Sequence, residues 1–66
     1  INVDEERAKL QKEIEYNIGF LNAVQKKLAN ERFVQNAKPE VIDVERRKQA
    51  DAEAKIKALQ DQLANL

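Results

Sequence analysis

Between Lys26 and Lys48 the chain carries seven basic residues (Lys26, Lys27, Arg32, Lys38, Arg46, Arg47, Lys48) against four acidic ones (Glu31, Glu40, Asp43, Glu45), a local charge of +3. The residues on either side sum to −3, so the 66-residue chain is neutral, with twelve basic and twelve acidic side chains. Lysines and arginines gathered in this way attract a polyanion by displacing its counterions. Arginine adds a two-pronged grip on phosphate. The same charges also suit the solvated faces of a coiled coil, and composition alone leaves both readings open. Other chemistry is scarce. No Cys and no His occur, which excludes a disulfide, a thiolate metal site and an imidazole base. Ser and Thr are absent too, so Tyr16 carries the sole side-chain hydroxyl. Acidic pairs such as Glu13 and Glu40 would sit on open helix surface, and no glycine-rich loop could cradle phosphate. No catalytic residue and no metal ligand is expected, and by itself the chain is not expected to be an enzyme.

Helices must position these charges. Charged residues make up 36% of the sequence and aromatic ones 5%, with one Gly and one Pro, a usage close to that of long helices. Sixty-six residues allow one small domain. No apolar run approaches the ~20 residues of a membrane span, and no signal-peptide pattern is present. The first residue is Ile1 rather than Met, so a piece of a longer protein is expected. Asn2 suits a helix N-cap, and Asp4, Glu5 and Glu6 place negative charge beside the unpaired amides of a first turn. Val3, Leu10 and Val24 fall on one seven-residue series, and Ile14, Leu21 and Leu28 on the other, with Arg7 and Asn17 as polar interruptions. Steps that alternate between three and four mark a coiled-coil seam. A second seam reads Ile42, Gln49, Ile56 and Leu63, with Glu45, Ala52, Leu59 and Leu66 between them. Pro39 fits the first position of that helix, where its missing N–H has no partner to lose.

The sequence therefore predicts an all-α fold, an antiparallel two-helix coiled-coil hairpin. Its helices run over about 3–30 and about 39–66, with a turn over about 31–38. Nine residues or fewer cannot carry a parallel return between rods about 40 Å long. A turn centred between Asn36 and Ala37 stacks Val24 on Gln49, Leu21 on Ala52, Asn17 on Ile56, Ile14 on Leu59 and Leu10 on Leu63. The same register sets Lys26 and Lys27 against Arg47 and Arg46, so that the cations meet on neighbouring faces near the tip. Phe33, Val34 and Ala37 are expected to fold onto Leu28, Val41 and Ile42 as an apolar plug, although Phe33 could also stack on a base. Tyr16, Ile18 and Phe20 flank the seam, where they either widen the buried stripe or offer a docking face. Few side chains are available to offset the ordering of the backbone, so marginal stability is expected of the isolated hairpin.

One set of residues goes beyond a heptad. Ile1-Asn2-x-Asp4, then Lys27-Leu28-Ala29-Asn30-Glu31-x-Phe33-Val34, then Ala37, Pro39, Val41-Ile42 and Glu45-Arg46-x-Lys48 resemble the C-terminal arm of valyl-tRNA synthetase. The resemblance runs over essentially the whole chain and is most specific from Lys27 to Val34. It departs from the family at Arg7, Asn17 and Gln49, where an apolar residue is usual, and at Lys38, which separates Ala37 from Pro39.

The resemblance implies a tRNA-binding arm, 1–66, at the end of a class I synthetase, leaning on the outer corner of tRNA where the D and T loops meet. The parent would join valine to its tRNA in the cytoplasm through a valyl-adenylate, using ATP and Mg, with none of those sites and no cofactor in the arm. Expected partners are a valine-specific tRNA and the rest of the synthetase, with no membrane and with the fragment monomeric. Lys26, Lys27, Arg46, Arg47 and Lys48 are the first candidates for tRNA contact, followed by Arg32 and Lys38. Two rivals remain at this point: a protein–protein or dimerisation coiled coil using Tyr16, Ile18 and Phe20, and the nucleic-acid-binding hairpin of another translation-associated protein.

Overall fold

The computed structural model describes residues 2–66. Two long helices, α1 (Val3–Ala29) and α3 (Pro39–Ala64), lie side by side and are joined through a short helix, α2 (Glu31–Asn36). The result is a rod measuring 50 × 14 × 13 Å. Ile1, the first residue of the resemblance, lies outside the described residues.

Helix α1 starts where the Asn2 side chain accepts hydrogen bonds from the amides of Asp4 (3.0 Å) and Glu5 (3.3 Å). These two bonds satisfy amides that have no partner within the helix. The helix crosses Gly19 without interruption. A Cβ added there would meet nothing within 4 Å, so no packing contact requires glycine at this position. Its cost to the helix, about 1 kcal/mol relative to Ala, is not returned by any close approach.

The seam forms where the heptad steps place it. Leu10, Ile14, Asn17 and Val24 of α1 and Ile42, Glu45, Ala52, Ile56 and Leu59 of α3 are buried. Leu21, Leu28, Gln49 and Leu63 are half-buried between them. Leu10, Ile14 and Leu59 form an apolar cluster with Leu63 packed against it. That cluster, together with a hydrogen bond from Lys27 to Glu45 near the other end, gives antiparallel helices in the expected register. The seam frays at the open end, where Val3 and Leu66 are each 46% exposed. In this register Leu66 stands opposite Arg7, whose guanidinium reaches back along α1 to Asp4 at 3.7 Å. Asn17 occupies its slot by turning back on its own helix, donating from Nδ2 to the Glu13 carbonyl at 2.7 Å. Its amide nitrogen thereby finds an acceptor without a partner from α3.

The bend differs from the simple turn expected over about 31–38. Asn30 breaks the helical path with extended torsions (φ −81°, ψ 107°), and its side chain then accepts from the amides of Arg32 and Phe33 to start α2. Helix α2 lasts six residues. Ala37 and Lys38 are extended, as a residue before proline prefers to be, and Pro39 opens α3. The chain thus reverses over two extended residues. Phe33 and Ala37, four apart, are half-buried. Val34 and Val41 are not: they stay 36% and 43% exposed, so the apolar plug is smaller than expected. A helix this short presents only one narrow face to the seam.

Candidate nucleic-acid interface

The cations at the bend end divide into two groups. Lys27 and Lys48 converge on one carboxylate. Glu45 occupies a seam position of α3 and is 4% exposed. Its Oε1 accepts a hydrogen bond from Lys27 Nζ of α1 at 2.9 Å, and its Oε2 lies 3.2 Å from Lys48 Nζ, one turn further along α3. The second contact is an ion pair whose geometry falls short of a hydrogen bond, so Oε2 has no aligned donor. The lysine side chains remain half in solvent, 58% and 48% exposed. Their stems emerge from the seam while their ammonium groups turn back onto Glu45.

The hydrogen bond from Lys27, followed by the contact with Lys48, holds the Glu45 carboxyl below its ordinary range, against the opposing pull of burial. A carboxylate whose folded pKa is depressed contributes stability above its unfolded pKa, and that contribution is lost as pH falls through the folded value. Acidification below about pH 4 should therefore lower the thermal midpoint of the chain, and Glu45→Gln should make that fall shallower. Melting curves at about pH 7 and about pH 3 for both proteins check this; identical acid losses would mean the pair is not felt.

The other five cations are arranged differently. Lys26, Arg32, Lys38, Arg46 and Arg47 are exposed and make no ion pair among the described residues. Successive helix residues are rotated by about 100°. Lys26 accordingly points away from Lys27 and borders a groove with Asn22, Gln25 and Ala29. Arg46 and Arg47 lie about 100° and about 200° around α3 from Glu45, whereas Lys48 lies back toward the seam. Helix geometry does not bring Lys26 and Lys27 onto neighbouring faces with Arg47 and Arg46 as expected: Lys27 and Lys48 converge on Glu45, and Lys26, Arg46 and Arg47 fall on other faces. An antiparallel register matches positions along the rod, but each residue's angle around its own helix decides the face.

Exposed apolar side chains lie further along the rod. Tyr16 is 75% exposed, and Ile18 and Phe20 are 40% exposed, so all three reach beyond the buried stripe. Phe20 borders a shallow groove of about 200 Å³ with Asn17, Lys48, Asp51, Ala52 and Lys55. No group of three or more His, Cys, Asp or Glu that could hold a metal ion is present among the described residues. Among the same residues no helix is long and apolar enough to cross a membrane.

The sequence reading missed the role of Glu45, which it placed only as a seam position and as one of the acidic residues near the bend. The signal was there: the register pairs Glu45 with Leu28, which puts Lys27 within reach across the seam, and Lys48 follows three residues later.

Comparison with known proteins adds the family. The model of the valyl tRNA synthetase tRNA binding arm matches residues 2–66. The chain is similar over all 66 residues to valine–tRNA ligases of Parabacteroides distasonis (56% identical), Christiangramia forsetii (53%) and Streptococcus pyogenes serotype M28 (53%). It spans 8% of the length of each of these relatives. No solved structure matches it. A helical hairpin matched from residue 2 to residue 66 belongs to the family of valyl tRNA synthetase tRNA binding arms.

Proposed function

We infer that this hairpin is the arm with which a valine–tRNA ligase holds its tRNA. It acts as a non-catalytic support for the outer corner during ATP-dependent aminoacylation. The observation that carries this reading is the family match along the whole described chain. The local charge of +3 between Lys26 and Lys48, held at one end of a 50 Å rod, agrees with it. ATP, Mg and the chemistry of valine transfer belong to the remainder of that ligase. The arm contributes phosphate contacts from Lys26, Lys27, Arg32, Lys38, Arg46, Arg47 and Lys48, which position tRNA without reading bases. The 75% exposure of Tyr16 favours a second reading, in which that face docks on protein.

The test is a titration of the chain with valine tRNA at two salt concentrations, followed by chemical shifts. The tRNA reading expects shifts at the bend end that weaken steeply with salt. Concentration-dependent dimerisation in sedimentation, with no shift on adding tRNA, would support the docking reading instead.

A further inference from the structure

We propose that Glu45 is a built-in counter-anion that withholds cationic charge from phosphate, so that Lys27 and Lys48 together offer a polyanion one contact rather than two. This rests on the reading of the bend end as a tRNA contact. Glu45 lies within 2.9 Å of one ammonium group and 3.2 Å of the other, and it is buried, 4% exposed, in the seam behind them. Its carboxyl stays charged at neutral pH, because both lysines favour the ionised form. Two lysines and one carboxylate sum to +1. A phosphate that approaches either ammonium also approaches the carboxylate behind it, and like charges repel. Breaking the contact to free a lysine would leave a buried carboxylate less well paired. Lys26, Arg32, Lys38, Arg46 and Arg47 are under no such restraint among the described residues. The salt-dependent grip therefore belongs mainly to those five. The Lys27–Glu45 hydrogen bond ties α1 to α3 next to the bend and keeps the register on which the placement of the others depends.

The experiment measures the affinity of the 66-residue chain for a short RNA duplex of unrelated sequence between about 50 and about 200 mM salt, with helicity checked by circular dichroism. Each independent phosphate contact contributes roughly 0.9 to the slope of log affinity against log salt, about a threefold change over that range. Arg46→Gln with Arg47→Gln should flatten the slope by about two contacts. Glu45→Gln should steepen it by about one. Neutralising the whole layer with Glu45→Gln, Lys27→Gln and Lys48→Gln removes the buried charge together with its partners. This variant should flatten the slope by about one contact. An unchanged slope for Glu45→Gln, or a loss of about two contacts in the neutral layer, overturns the proposal, because either means the two lysines act independently. A slope untouched by the arginine substitutions would count instead against the tRNA reading itself.

Discussion

Leu59→Ala is expected to unfold the hairpin. Leu59 is 6% exposed and sits between Leu10 and Ile14 of α1, with Leu63 alongside. Deleting a buried leucine side chain beyond Cβ costs about 2–5 kcal/mol, from lost burial and from the cavity left behind. A core of this size rarely supplies more than about 3–5 kcal/mol in total, so one truncation consumes most of it. Ala has the higher helix propensity, but that gain is only a few tenths of a kcal/mol. The loss should appear as a collapse of helicity at room temperature and disappearance of the cooperative melt. Val44, on the same helix, is 52% exposed and makes a suitable control. Its replacement by Ala should change stability by less than about 0.5 kcal/mol. A cooperative melt that survives Leu59→Ala would mean that the cluster does not carry the fold.

Replacing Arg46 and Arg47 by Glu in a valine–tRNA ligase carrying this arm is expected to weaken tRNA binding by at least about tenfold at moderate salt. Both side chains are exposed and free of ion pairs among the described residues, so the change alters surface charge by four units without touching the seam. If the two arginines meet phosphate as proposed, two contacts are lost and two repulsions take their place. Such contacts act equally on bound substrate and transition state, so KM for tRNA should rise while kcat stays nearly constant. Binding and steady-state kinetics at two salt concentrations check both statements. Unchanged affinity with an unchanged salt slope would remove these arginines from the interface.

Most of the fold was legible in the sequence because a coiled-coil seam is written as a period. Leu10, Ile14 and Val24 face Ile42, Ile56 and Leu59 through simple alternation of three and four, and a short connection leaves only an antiparallel return. Helix α2 was not legible as a helix. Asn30 reads equally well as a turn residue and as a cap, and only the hydrogen bonds from Arg32 and Phe33 distinguish them. The site was legible in composition and illegible in geometry. Counting charges locates the basic end, but the pairing of Lys27 and Lys48 with Glu45 depends on a buried seam position, and the spread of Lys26, Arg46 and Arg47 depends on angle around two helices.

Asn30 is the closing residue of one helix and the opening residue of the next. The partial negative pole of α1 therefore meets the partial positive pole of α2 at a single side chain. An acidic residue there would favour α2 and oppose α1, and a basic one would do the reverse. A neutral amide with an acceptor oxygen is the compromise both helices tolerate. Electrostatic tuning of this elbow by Asn30→Asp would consequently trade order in the small helix against order at the end of the shaft.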